Sequence, residues 1–336
     1  MHRAGQSRLV ILVFGLVLTG TVLARGGSLK AYRLGDTYYV AVSDVANYYG
    51  LGSDADAGEN RAVYRTSFAQ LELDADSRNI LVNGVTHWLS APILSTRGKL
   101  WISELDILKT VDPVLEPGHL RKPGAAIRTI VIDPGHGGED RGTRGRSSFE
   151  KVMTLDVAKR VVRELAGSGA RVILTRTSDK TVSLDDRVEF ARAKGADLYV
   201  SIHFNSGGTA EGIETYCTPP AGTSSTANFS GNSGDRDTSS GDLAAVPSNR
   251  FDSQSVWLAH CVQKAALQAT GAVDRGVRRA RFYVLRYASC PAILIEAGFL
   301  SSPSEEGRIL QPEYREKLAK AIADGILAYK KTVEPQ

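Results

Sequence analysis

Three short apolar runs, each ending in a residue able to bind a metal or move a proton, constrain this chain more than any other feature. Thr129 to Ile132 is rich in β-branched residues and stops at Asp-Pro-Gly, which marks a buried strand closed by a sharp turn. His136 follows at once with glycine on either side, where the backbone can approach a ligand closely. Asp197 to Ile202 leads in the same way into His203 and Asn205, and Ala292 to Ile295 into Glu296. Strands that deliver such residues at their carboxyl ends place them on one edge of an open α/β sheet, where that architecture binds ligands.

Between these runs the pattern becomes helical. After Glu150, Val152, Leu155, Ala158, Val161, Val162 and Leu165 share one face, with Lys159, Arg160 and Arg163 off it. Gly167 to Gly169 breaks that helix, and Arg171 to Leu174 reads as the next strand. Ser183 with Asp186 makes a capping box for a helix from Leu184 to Lys194. Gly212 to Cys217 is strand-like, Ser253 to Ala269 and Pro312 to Tyr329 are helical, and Arg275 to Arg281 is a basic segment. The alternation predicts an α/β fold over residues 127–330, with a mostly parallel or mixed sheet and helices on both faces. Residues 218–252 interrupt it. They are mostly Ser, Gly, Thr, Asn and Asp, too polar to offset their ordering entropy, so they read as a mobile insertion near the site.

The amino end has a different character. Arg3 and Arg8 precede an uncharged run from Leu9 to Ala24, with Val22 and Ala24 spaced as in a signal-peptidase site. Residues 1–24 are therefore expected to be a cleaved export signal, the run being short for a membrane span. No cysteine follows it, which argues against a lipoprotein. The cysteines are Cys217, Cys261 and Cys290, an odd number that makes no disulfide framework, so three buried thiols are expected. Residues 28–116 read as a small, separate α+β unit. It has a strand at Tyr38 to Val42, a helix capped by Ser43, alternating runs, and a hairpin turn at Asn83-Gly84. Leu100 to Ile102 with Ser103 repeats the strand-cap-helix phrase. The unit resembles the stalk-like domain named after the amino-terminal region of copper amine oxidases, a name that implies no copper, and suggests a spacer or wall-binding module. His87, beside Trp88, reads as a solvent-facing structural residue. Residues 117–126 are a Pro/Gly-rich linker. At 336 residues and 42% apolar the chain has room for both units. Its net charge of +4 comes without a basic stripe interleaved with aromatics, so nucleic acid is not expected as a partner.

Two imidazoles and a carboxylate suit zinc, which in catalytic sites takes three protein ligands and keeps a position for water. His136 and His203 are the nitrogen ligands, Glu150 is the best carboxylate, and Glu296 is the general base. Ser147 and Glu150 fit a capping box equally well, and spacing does not choose between the two roles. Glu296, inside an apolar strand, has to face a metal, a cation or a hydrogen-bond network, because a buried lone carboxylate is costly. Arg187 is expected in a structural ion pair. His2, His119 and His260 receive no role.

Ile132-Asp-Pro-Gly-His-Gly-Gly, Phe149-Glu-Lys, Leu184-Asp-Asp-Arg, Ser201-Ile-His-Phe-Asn and Leu294-Ile-Glu-Ala-Gly-Phe-Leu-Ser occur in that order. Together they resemble the catalytic domain of the zinc-dependent N-acetylmuramoyl-L-alanine amidases, over residues 127–329. The resemblance implies Zn²⁺ held by His136, Glu150 and His203, with Glu296 catalytic. It implies as substrate the amide joining the lactyl group of N-acetylmuramic acid to L-alanine in peptidoglycan. It also implies an exported monomer in the periplasm or cell wall, leaving open whether an activator protein serves it. Phe204 replaces a small residue and Ser302 an Asn of the family pattern, and neither is expected to touch a ligand. Some members carry an inhibitory helix in the region of 218–252; this polar, Gly-rich segment is expected to form none. The competing readings are a zinc carboxypeptidase or endopeptidase on cell-wall peptides, and a non-catalytic wall-binding protein.

Overall fold

In chain order, the strands before residue 104 are β1 (Val17–Ala24), β2 (Gly27–Leu34), β3 (Thr37–Ala41), β4 (Gly52–Ser53), β5 (Arg61–Arg65), β6 (Gln70–Asp74), β7 (Asn79–Val82), β8 (Val85–Trp88), β9 (Leu94–Thr96) and β10 (Lys99–Ser103). Helix α1 (Val42–Tyr48) follows β3; α2 (Glu104–Asp106), a π-helical turn (Ile107–Val111) and α3 (Asp112–Leu115) follow β10. The second part contains β11 (Thr129–Pro134), α4 (Glu150–Glu164), β12 (Arg171–Leu174), α5 (Leu184–Ala193), β13 (Leu198–Asn205) and β14 (Ile213–Cys217). It ends with α6 (Asp252–Thr270), β15 (Asp274–Arg279), α7 (Tyr283–Arg286), β16 (Ala292–Phe299), α8 (Pro303–Ile309) and α9 (Pro312–Val333). This computed structural model describes residues 17–24, 27–53, 60–120, 126–226 and 243–334. The first part of the expected export signal and residues 227–242 of the insertion lie outside them. No helix among the described residues is long and apolar enough to cross a membrane.

The fold is mixed α/β. β12, β11, β13 and β16 lie side by side and parallel, and β14 then joins β16 in the antiparallel sense. Period-two alternation divides the buried strands between two layers. Ile130, Ile132, Leu198, Val200, Ile202, Ile293 and Ile295 pack in the core that α4, α6 and α9 share. Val131, Tyr199, Tyr216 and Leu294 point the other way, into a core with Ala191 of α5 and Leu285 of α7. On α4 the buried face is Met153, Val157, Ala158 and Val161; Val152, expected there, is 48% exposed. Ser183 caps α5 as expected, its hydroxyl accepting from the Asp186 N–H. The three cysteines are free and buried.

The two parts are joined more closely than the sequence suggests. β15 pairs on its far side with β8, so the hairpin strands β8 to β4 extend the same sheet to eleven strands. Asn83 and Gly84 take positive φ of 51° and 79°, as a two-residue hairpin turn requires. Ser43 does not cap α1, whose N-cap is Ala41; Ser103 does cap α2, accepting from the Asp106 N–H. Across the joint the Trp88 indole donates to Arg275 O at 3.0 Å, the Thr86 N–H to Asp274 at 2.7 Å, and Arg279 to Lys109 O at 2.7 Å. The strand β15 was hidden in the sequence by its arginines. Arg278 and Arg279 are both 3% exposed, Arg278 lying over the Trp88 ring at 4.1 Å and bonded to Glu214.

His87 is not at the surface. It is 1% exposed, and its Nε2 lies 3.0 Å from Nδ1 of His260, which stacks on Trp257. One nitrogen donates and the other accepts, so the accepting ring cannot take a second proton without breaking the bond, and a second proton on the donating ring would be a buried charge. Burial lowers both, with the neighbouring imidazole and Arg279 adding to it for His87; His260, with Lys264 nearby, falls to about 3. Above the unfolded value near ~6.5 both states are neutral and this pair costs nothing. As pH falls from there toward 3 the unfolded chain gains protons that the folded pair refuses, so stability declines. Melting temperatures measured between pH 7 and 4 are expected to fall less in His87→Phe than in the unaltered protein.

The insertion leaves the sheet at an unexpected place. Because β14 runs antiparallel to β16, Cys217 lies toward the amino end of β16, away from Glu296. The described flanks follow: Thr226 N–H donates to Arg279 O at 2.8 Å, Ser248 to Thr218 at 3.0 Å, and Arg250 to Ser289 O. Thr218, Ser225, Thr226 and Ser248 are buried. These flanks thus emerge at the edge opposite the carboxyl ends of β11 and β13, whereas the insertion was expected near the site.

Candidate metal centre

β11, β13 and β16 end together, and α4 begins beside them. His136 takes φ of +60° just past β11, a turn that swings its ring over the sheet edge. Its Nε2 lies 3.1 Å from Glu150 Oε1, and Nδ1 of His203 lies 3.0 Å from that same oxygen. Tetrahedral ligands about 2.0–2.1 Å from a zinc ion sit roughly 3.3 Å apart, so both nitrogen–oxygen separations and the N₂O donor set suit such a site, with all three donors within 4.8 Å of one another. Among the described residues this is the one cluster of its kind.

Each ligand candidate is held from behind. Asp140 Oδ2 lies 2.8 Å from His136 Nδ1, which fixes the ring with Nε2 facing Glu150. Glu150 accepts the Phe204 N–H at 2.9 Å and, on its other oxygen, the Thr143 N–H at 2.7 Å. Phe204, expected clear of the ligands, thus touches one through its backbone while its ring is buried in the helical layer. The α4 N-cap is Phe149, without a side-chain cap, and the Ser147 N–H bonds Glu306 at 2.8 Å. The capping-box reading of Ser147 and Glu150 is therefore set aside. A Cβ added to Gly135 would fall 2.3 Å from the His203 ring, so only glycine lets that imidazole reach its position. Without a metal, burial would disfavour a charge on His136 but Glu150 and Asp140 carry it up to about 9. Burial likewise opposes charge on Glu150, and the two histidines more than reverse it, holding the carboxyl well below its usual range. Metal binding has to displace the imidazole proton.

Glu296 lies opposite His203 in the parallel register of β13 and β16, and opposite Glu214 in the antiparallel register of β14 and β16. All three lie on one face of the sheet. Glu296 and the ligand candidates line a cavity of about 400 Å³ together with Arg141, Thr143, Asn205 and Ser206. Glu214 was not singled out from the sequence, although an acidic residue inside the apolar run Gly212 to Cys217 carries the same signal as Glu296. It is fully buried and receives Arg275 at 3.1 Å, Arg278 at 2.9 Å, the Asn205 amide at 2.7 Å and the Tyr216 hydroxyl at 2.8 Å. Below the loop, Asp133 pairs with Arg187 at 2.6 Å and accepts from Thr175, from Tyr199 at 2.7 Å and from Ser201 at 2.8 Å. Burial opposes its charge, yet Arg187 and these donors keep its carboxyl below the ordinary range. Arg187 also donates to Pro134 O and His136 O, so it is the structural ion pair that was expected, holding the histidine turn.

Comparison with known proteins identifies the family. Residues 130–328 match the family model described as N-acetylmuramoyl-L-alanine amidase. The N-acetylmuramoyl-L-alanine amidase LytC of Bacillus subtilis is 36% identical over 203 residues, which are 60% of this chain and 35% of LytC. The amidase AmiA of Escherichia coli is 30% identical over 283 residues, covering 79% of this chain and 95% of AmiA. The catalytic domain of CwlV, the amidase of Bacillus (Paenibacillus) polymyxa var. colistinus, superposes with a TM-score of 0.50 at 32% identity, over 61% of this chain and 99% of that domain. This chain belongs to the N-acetylmuramoyl-L-alanine amidase family.

Proposed function

We propose that the chain is an exported, zinc-dependent peptidoglycan hydrolase that cleaves the amide between the N-acetylmuramic acid lactyl group and L-alanine. The observation that carries this is the approach of His136 Nε2 and His203 Nδ1 to a single oxygen of Glu150, beside Glu296, in a chain of this family. His136, Glu150 and His203 would hold the zinc ion, which would supply Lewis acidity to activate water and polarise the carbonyl. The chain's own groups do the rest. The Glu296 carboxylate accepts a proton as water attacks the lactyl carbonyl carbon. It passes that proton to the L-alanine nitrogen as the C–N bond breaks, and is regenerated as the carboxylate. Asp140 orients one imidazole, and the backbone N–H groups of Thr143 and Phe204 hold Glu150 in place between the rings. The charged and then apolar amino end supports export, since this substrate lies outside the cytoplasm.

Purified peptidoglycan digested with the protein is expected to yield intact stem peptides with a free L-alanine amine. A chelator should abolish the release and added Zn²⁺ restore it. Single amino acids or split stem peptides among the products would establish the carboxypeptidase or endopeptidase reading instead.

A further inference from the structure

Arg141 lines the cavity of the metal centre but helps to hold none of its residues. Its guanidinium lies over the Phe149 ring, 5.0 Å from the centroid. It makes no ion pair among the described residues, whereas Arg160, Arg187, Arg275 and Arg278 are each matched to a carboxylate. Asp140, next in the chain, is engaged by His136. Stacking uses the face of the guanidinium and leaves its edge free, and that edge offers the paired N–H donors that fit a carboxylate.

The loop carrying Arg141 is pinned. Arg141 O accepts the Lys151 N–H at 3.3 Å, Thr143 O the Glu150 N–H at 2.9 Å, and Ser148 O the Gly145 N–H at 2.9 Å. Ser147 is tied to Glu306 on α8. Arg144 and Arg146 are exposed on this loop, also without an ion pair among the described residues. Like charges so close in sequence repel one another, and Arg141 with Arg144 and Arg146 makes a positive rim on this loop, Arg141 in the cavity wall and the other two outside its lining, that draws anions toward it.

We propose that Arg141, seated on Phe149, is a specificity-determining residue that binds a free carboxylate of the peptide continuing beyond L-alanine, with Arg144 and Arg146 steering that peptide in. This rests on the amidase reading and names which part of its substrate the rim recognises. The test uses the full chain and two N-acetylmuramoyl peptides that differ only in having free or amidated stem carboxylates. The unaltered protein is expected to favour the free acid by about tenfold in kcat/KM, the scale of one charge-assisted hydrogen-bonded contact. Arg141→Gln should remove the preference, mainly through KM. Arg141→Lys, which keeps the charge without the fork, should regain only part of it. Zinc content matching the unaltered protein shows that either variant is folded at the site. Equal use of both peptides by the unaltered protein, or a preference that survives in Arg141→Gln, overturns the proposal. So does inhibition by poly(glycerol phosphate) without any stem-charge preference, which would assign the rim to a phosphate polymer. Cleavage of neither peptide would sink the amidase reading along with this one, whereas equal cleavage of both sinks this one alone.

Discussion

Glu296→Gln is expected to lower kcat by roughly 10³, within the usual range for loss of a general base, while leaving zinc content and KM close to their original values. The amide has the shape of the carboxylate, so the buried end of β16 can keep its packing. It cannot accept the proton that hydrolysis releases. Glu296 is 8% exposed and stands one strand from His203, which makes it part of the cavity wall without making it one of the clustered donors. Turnover on muropeptides, measured beside metal analysis, separates the two kinds of failure. A variant that lost zinc as well would make Glu296 a ligand, and one with undiminished kcat would remove it from the chemistry.

Asp133→Ala is expected to destabilise the fold by about 3–5 kcal/mol, because it leaves the Arg187 guanidinium buried and unmatched. Asp133 is fully buried and Arg187 is 3% exposed, so water cannot replace the lost carboxylate. Since Arg187 also bonds Pro134 O and His136 O, the histidine turn should loosen with it. The double replacement Asp133→Leu with Arg187→Met should cost less than Asp133→Ala alone, as removing both charges leaves none stranded. Urea unfolding of the three proteins measures this; a double variant as unstable as the single one would show that the hydrogen bonds, and not the charge, set the cost.

The strands that carry His136, His203 and Glu296 were legible because each is a continuous apolar run, and a parallel strand covered on both faces has to be one. Their convergence at one edge followed from that topology. What escaped the sequence had one physical origin: polar residues buried by partners far away in the chain. β15 reads as a basic surface segment until Glu214, Trp88 and Lys109 O are known to meet its arginines. His87 reads as a surface residue until its partner His260 is in view, 173 positions away. Glu150 had two roles that spacing could not separate, and the position of the ring nitrogens set the capping role aside. The far-edge exit of the insertion depended on strand direction at β14, which no local pattern encodes.

The shared sheet has a mechanical meaning. A jointed tether would let the carboxyl-terminal half swivel freely, but a pull on β8 reaches β15 through their pairing at His87 and Val277, with indole and guanidinium side chains clamped across it. The two halves are thus expected to move together. Fastening the amino-terminal half to any surface would therefore also set the compass bearing of the cleft.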